Sequence, residues 1–246
     1  GSFRFTDSGL FFDDVRGRDR YDGTASITGG IEWNNKFQNI FYDINIKCNE
    51  IEGIDLNEKQ NEYFYGNVFG SGNVTFRGPS SDMQMNVEGT TAKTGTFHVP
   101  ISYTSVSGRS NLLKFTEIKV EEPVDPYHII VEKMEKKTTE ESKFTTNMKI
   151  TAHPEVEAVI WIDKASGHML SGNGTGTIQM MVDEETFDIT GEYDINRGNY
   201  KFVAYGIVNR DFEIQDGSSV RFNGDIMEST LDIDAIYKTK ASLSTL

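Results

Sequence analysis

The chain has 246 residues, a formal net charge of −14, 23 glycines, 5 prolines and a hydrophobic fraction of 37%. This length can bury the core of one large domain or two small ones, and the composition fits many β-strands joined by polar turns rather than a helical bundle or a disordered chain. The negative charge argues against nucleic acid and anionic membrane surfaces as partners of the outer face.

Apolar and polar residues alternate along nearly the whole first half, which predicts strands with one apolar and one polar face. The alternation is clearest at 40–46, 68–76, 83–87 and 97–101. The single cysteine, Cys48, continues the phase of Ile44 and Ile46, so we interpret it as a small apolar side chain. One cysteine also excludes an intrachain disulfide.

The segment 121–143 interrupts this pattern with a dense run of mixed charge, and two of the five prolines lie at its start. It is interpreted as a solvated loop between a β-rich part at 1–120 and a second one at 144–246. The two parts can still belong to one continuous sheet.

The second half alternates again at 156–162, 178–182, 187–189, 191–222 and 231–237. Polar sequences rich in Gly, Asn, Asp and Ser predict turns between the strands. These are "RGPSSD" (77–82), "KASGH" (164–168), "GNGTG" (172–176), "INRGN" (195–199), "QDGSS" (215–219) and "NGDIMES" (223–229). About a dozen strands in this rhythm predict a long, meandering, mostly antiparallel sheet.

No group of residues has the pattern of a catalytic or metal site. The acidic run "DEET" (183–186) falls where a turn is expected, and the histidines His98, His128, His153 and His168 are scattered singly. No sequence matches a calcium-binding loop, and the glycine-rich 171–177 is not followed by a helix that could bind a phosphate. The sequence therefore predicts a protein that is not an enzyme and has no cofactor or metal.

The apolar face of 191–222 is the remaining candidate for a functional site. The opposite face carries charged residues such as Glu192, Lys201 and Arg221. The apolar face must therefore be shielded from water. A sheet of more than about ten strands tends to curl. The face is then either an ordinary packed core or a trough for acyl chains, and periodicity alone leaves both open.

The same residues resemble a known family. The stretch "GEYDINRGNYKF" followed by "VNRDFEIQDGSSVRFNGDIMESTLDIDAIY" (191–202 and 208–237) is similar to the C-terminal domain of the TamB family, part of the translocation and assembly module. The similarity is specific over about 187–240, looser over 148–186 and general in character over 1–60. Ile226 stands where the family often has proline.

The resemblance implies an all-β fold, a long curled, mostly antiparallel sheet with an apolar interior groove. It also implies a periplasmic segment of a Gram-negative envelope protein whose inner-membrane anchor lies outside this chain. The expected partners are a phospholipid or other acyl-chain lipid and a TamA-type outer-membrane barrel. No catalytic residue comes with the family.

The groove candidates are the apolar positions of the alternating strands. They are Val74, Phe76, Met85, Val87, Phe97, Val99, Ile160, Ile162, Ile178, Met180, Tyr193, Ile195, Tyr200, Phe202, Phe212, Ile214, Val220, Phe222, Leu231 and Ile233. The favoured function is the shielding of phospholipid acyl chains in a hydrophobic groove during transport between inner and outer membrane, together with support of outer-membrane protein assembly. The alternative is an assembly module that pairs client β-strands at a sheet edge, with the apolar face as plain core. A carbohydrate-active β-solenoid would need fixed-length rungs and a carboxylate cluster, and neither is present.

Overall fold

A computed structural model describes residues 1–34, 38–61, 64–101, 142–183, 186–204 and 208–239. These residues form strands and connecting turns, without a helix. The first six strands are β1 (Ser2–Thr6), β2 (Gly9–Arg18), β3 (Thr24–Glu32), β4 (Phe41–Leu56), β5 (Tyr65–Pro79) and β6 (Asp82–Pro100). The others are β7 (Lys143–Ala152), β8 (Glu157–Asp163), β9 (His168–Val182), β10 (Phe187–Ala204), β11 (Val208–Ile214), β12 (Ser218–Asp232) and β13 (Ala235–Ile236).

All of these strands belong to one sheet in which sequence neighbours mostly pair antiparallel. Among the described residues, the parallel pairs are β6 with β7 and β6 with β8. Strands β7 and β8 share the same two partners, β6 and β9, and β11 and β12 both pair with β10. Strands β7 and β8 therefore act together as one interrupted strand of the sheet, and so do β11 and β12.

The irregular places in the strands line up to form a crease across the sheet. They are the register shifts at 48–54 in β4, 68–70 in β5 and 195–197 in β10, together with the gaps at 153–156 between β7 and β8 and 215–217 between β11 and β12. Extra residues bend a strand and increase its twist. Because the bends fall opposite one another, the sheet curls along this line.

The crease divides the interior of the curled sheet into two walls. The wall that contains Val74, called the Val74 wall, comprises 9–18, 24–32, 41–48, 72–79, 82–91, 143–152, 176–182, 187–195 and 218–224. The wall that contains Val99, called the Val99 wall, comprises 51–56, 65–70, 95–100, 157–163, 168–174, 198–204 and 208–214.

Three of the predicted turns are wrong. Residues 172–176 lie inside β9, residues 195–199 lie inside β10, and residues 223–229 lie inside β12. The glycines of the first sequence allow close backbone approach: a Cβ on Gly174 would lie 1.9 Å from the carbonyl oxygen of Asp194. The second sequence supplies the bulge of β10. By contrast, 77–82, 164–168 and 215–219 do connect or interrupt strands.

The predicted charged loop at 121–143 lies almost wholly outside the described residues, which resume at Ser142. The parallel pairing of β6 and β7 places the β-rich parts before and after that loop in the same sheet. The division of the chain at 121–143 stays a prediction.

Candidate functional site

An uninterrupted row of apolar side chains crosses the interior of the Val74 wall from strand to strand. Paired residues in a sheet point to the same face, so the register defines the row directly. In order of strands it comprises Val15, Ile27, Ile46, Val74, Val87, Met148, Met180 and Ile189. With strands about 4.8 Å apart, the row extends for about 34 Å along the crease.

The rows on both sides of this one consist of apolar residues and glycines, with one threonine and one cysteine. One of them contains Phe12, Gly29, Ile44, Phe76, Met85, Thr146, Val182 and Phe187. The other contains Ala25, Cys48, Gly72, Gly89, Ile150, Ile178, Gly191 and Phe222. Cys48 thus lies on the apolar face as the sequence predicted, and burial raises the pKa of its thiol. We call this side of the curled sheet the interior face.

The solvent exposure of the interior face changes along its length. Ile27, Val74 and Val87 are half-buried, whereas Met180 is 8% exposed and Ile189 is 2% exposed. No helix formed by the described residues covers the half-buried part. On the Val74 wall the interior face is therefore open to solvent over β2–β6 and closed over β9, β10 and β12, whereas on the Val99 wall Val68 in β5 and Val99 in β6 are already buried.

At the closed end the two walls pack against each other. The buried cluster there comprises Ile160, Leu170, Tyr193, Ile195, Ile214 and Val220, drawn from both sides of the crease. The hydroxyl of Tyr193 donates a hydrogen bond of 3.3 Å to the carbonyl oxygen of Gly172 on the opposite wall. Desolvation raises the pKa of Tyr193 to about 12, so this hydroxyl stays protonated as a donor.

The chain after β12 contributes to this closure. The hydroxyl of Ser218, which is 1% exposed, accepts a hydrogen bond of 3.0 Å from the backbone N–H of Asp234 and donates one of 3.2 Å to its carbonyl oxygen. Ile233 packs against the buried cluster. The buried hydroxyl of Ser218 therefore has both of its hydrogen-bond partners on the backbone of the segment that follows β12.

The candidate residues fall into three groups by exposure. Buried candidates are Val99, Ile160, Met180, Tyr193, Ile195, Ile214 and Val220. Half-buried ones are Val74, Phe76, Met85, Val87, Phe97, Ile162, Ile178, Tyr200, Phe202, Phe212, Phe222 and Ile233. Leu231 is 45% exposed, which sets it apart from the others. Whether any of these residues contacts a lipid stays a prediction.

The bulge in β10 explains how candidates of different sequence parity share one face. Ile195 pairs with Gly174 and Tyr200 pairs with Leu170, and both partners have even numbers in β9. The extra residue at Asn196–Arg197 shifts the phase of β10 between them. Simple alternation would have placed Tyr193 and Tyr200 on opposite faces.

Sequence reasoning missed several interior residues, including Val15, Ile27, Ile46, Met148 and Leu170. Ile46 belongs to a predicted strand, so its alternation with Ile44 could have identified it. Val15 and Ile27 lie in the first sixty residues, where the facing of each residue could not be assigned without the register.

The opposite face of the sheet is polar. The row beside the apolar one contains Thr28, Asn45, Thr75, Asn86, Asn147, Met181 and Asp188. Nδ2 of Asn147 donates to Oδ1 of Asn86 at 3.2 Å, and Arg77 pairs with Asp43 across neighbouring strands. Among the described residues, no three His, Cys, Asp or Glu side chains are grouped so that they could hold a metal ion.

These features define a class: a β-sheet protein folded along a crease around an apolar trough that is open at one end and closed at the other. The family model of the TamB C-terminal domain matches residues 13–245. The chain belongs to the TamB family. A search of curated proteins found no match.

Membership places the chain in envelope biogenesis and outer-membrane protein assembly. The family is a non-enzymatic assembly and transport module that spans the periplasm and forms a complex with outer-membrane TamA. Within the described ranges, no helix is long and apolar enough to cross a membrane.

Proposed function

We propose that the chain shields the acyl chains of phospholipids in its trough during their transport between the inner and outer membranes. The observation that carries the proposal is the apolar row through Val74 and Val87, which is continuous along the crease and half-buried over β2–β6. An ordinary core would bury these residues throughout, as the cluster around Val220 is buried.

The dimensions and energetics suit an acyl chain. A row of about 34 Å offers apolar contact along the whole length of an extended chain. Each methylene moved from water to an apolar surface contributes about 0.8 kcal/mol, so the binding strength grows with chain length. The polar opposite face and the net charge of −14 keep the rest of the surface in water.

A charge in the middle of the row is expected to block lipid binding without unfolding the chain. In the variant Val87→Asp the carboxylate is solvated while the trough is empty, because Val87 is half-buried. A bound acyl chain would desolvate it, which is costly for an unpaired charge. We expect lipid affinity to fall by at least about tenfold, measured by transfer of a fluorescent phospholipid from vesicles to the protein.

The matched control is Asn86→Asp, which adds the same charge one residue away on the polar face. Its lipid affinity should equal that of the unmodified chain, and circular dichroism should show both variants folded. Equal lipid affinity in Val87→Asp and the unmodified chain would contradict the proposal that the row holds the acyl chains.

One observation favours the alternative function as a protein-assembly module. Strand β1 pairs with β2 along one edge, and the described residues provide no partner for its other edge. Phe3 and Phe5, which share a face with the interior residues Phe12 and Leu10, are 71% and 66% exposed. A client β-strand that pairs with this edge would be insensitive to Val87→Asp and sensitive to proline in β1.

A further inference from the structure

The interior face carries a single full charge among its positions in regular register. From β1 to β12 these positions are apolar residues, glycines, serines, threonines, tyrosines and a cysteine, with two exceptions: Arg210, and His168, which continues the alternation of β9 and pairs with Asp163 beyond an irregularity in β8. Both exceptions lie in the same place. Arg210 pairs with Phe202, and the ring of His168 contacts the ring of Phe202 at 5.4 Å.

His168 and Arg210 are surrounded by aromatic side chains, two of which carry a hydroxyl group. Nε2 of His168 shares a hydrogen bond of 2.8 Å with the hydroxyl of Tyr200. The guanidinium of Arg210 lies 5.6 Å from the ring centroid of Tyr237, and that ring contacts Phe212 at 5.5 Å. The rim of the Val99 wall at the closed end therefore combines apolar ring faces with groups that can donate hydrogen bonds.

Arg210, like Arg4 and Arg197 among the described residues, forms no ion pair, and of these three it is the one on the interior face in regular register. Arg16, Arg18, Arg20, Arg77 and Arg221 each pair with a carboxylate at 2.5–3.1 Å. Arg210 donates to the backbone carbonyl oxygen of Asn209 at 3.1 Å, and no carboxylate of the described residues forms an ion pair with it. An unpaired guanidinium beside apolar ring faces is available to an anionic ligand.

One carboxylate lies near this place and is already occupied. Asp163 pairs with His168 beyond an irregularity in β8. Its Oδ1 accepts hydrogen bonds from the backbone N–H groups of Ala165 and Ser166, at 3.0 and 3.5 Å. Its pKa is lowered, first by the hydrogen bond with the Ser166 side chain. The carboxylate is thus fixed in the turn between β8 and β9.

From this juxtaposition we infer that Arg210, His168 and Tyr200 bind the phosphate of an anionic phospholipid headgroup at the rim, with the acyl chains against the interior face. The inference rests on the proposed lipid function and adds the site at which the headgroup binds. Guanidinium groups bind phosphate oxygens through two parallel N–H bonds, and imidazole and phenol groups supply further donors. Headgroup and acyl chains would then occupy adjoining parts of one surface.

The test compares two lipids that differ in the headgroup alone. Dioleoylphosphatidylglycerol and dioleoylglycerol are offered to the chain, and their affinities are measured by native mass spectrometry. The unmodified chain should prefer the phospholipid by about tenfold, the scale expected of a charge-assisted contact. Arg210→Gln should lose most of this preference and keep its affinity for dioleoylglycerol.

The matched control is Lys201→Gln, which removes one positive charge at the same end of the sheet but from the opposite face, since Lys201 pairs with Asp211 rather than with an interior residue. Its lipid preference should not change. Equal binding of the two lipids to the unmodified chain, or an unchanged preference in Arg210→Gln, would overturn the headgroup site and leave the acyl-chain function standing.

Two further outcomes separate other sources of failure. If neither lipid binds, the proposed function itself fails, and the headgroup site fails with it. If inorganic phosphate alone binds at Arg210 as tightly as the phospholipid and does so without competing with it, the site is one for a free anion, and the lipid assignment is wrong. Displacement of phosphate by the phospholipid supports the assignment.

Discussion

Replacement of Val220 by aspartate is expected to destabilise the fold by about 4–5 kcal/mol, the largest effect of any variant considered. Val220 is 1% exposed and lies in the cluster where the two walls meet. A carboxylate there would lose its water without gaining a partner, since its paired neighbour Tyr193 already donates its hydroxyl to Gly172. Urea unfolding followed by circular dichroism measures the change in the free energy of unfolding.

The control for this prediction is Asn223→Asp on the exposed polar face of the same strand, which should change the free energy of unfolding by less than about 0.5 kcal/mol. If Val220→Asp were tolerated as well as its control, the closed end would be accessible to water. The contrast between a closed end and an open trough would then be wrong.

The variant Gly174→Ala is expected to destabilise the fold by about 2–3 kcal/mol, even though it adds a single methyl group. A Cβ at this position would lie 1.9 Å from the carbonyl oxygen of Asp194, a backbone atom that can move only if β9 and β10 separate. Gly174 lies at the crease, directly opposite Ile195 where β10 bends. Thermal or urea unfolding measures the loss.

The matched variant Gly17→Ala has nothing within 4 Å of the added Cβ and should leave stability nearly unchanged. The difference between the two alanine variants isolates close backbone approach from the general effect of replacing glycine in a strand. Equal stability of both variants would show that the crease does not require glycine at position 174.

Much of the fold could be predicted from the sequence because local alternation is strong. The segments around Ile44, Val74 and Met180 are strands in the structure, and their apolar residues share the interior face. The family resemblance over 187–240 was also confirmed, since the family model matches 13–245. The long curled, mostly antiparallel sheet follows from these two sources.

The crease could not be predicted because it depends on the register between distant strands. Residues 83–87 and 97–101 resemble two short strands, yet 82–100 form the single bent strand β6. The glycine-rich 172–176 resembles a turn because its pairing with β10 is not visible in the sequence. Glycine and asparagine favour turns in a local reading, whereas here they permit close approach of β9 and β10 across the bend.

The position of Arg210 illustrates the same limit at the candidate headgroup site. In the sequence it is one of many charged residues near a hairpin. Its place on the interior face becomes visible only through its pairing with Phe202, after the bulge at 195–197 has shifted the phase of β10.

The central claim, that acyl chains lie on the interior face, is tested most directly by photocrosslinking along β5. A photoreactive residue is placed in turn at Asn73, Val74, Thr75 and Phe76, which point alternately to the polar and the interior face. Lipid adducts on Val74 and Phe76, with few on Asn73 and Thr75, are the predicted result. Adducts without this two-residue period, or none from a folded chain that is exposed to phospholipid, would contradict the account.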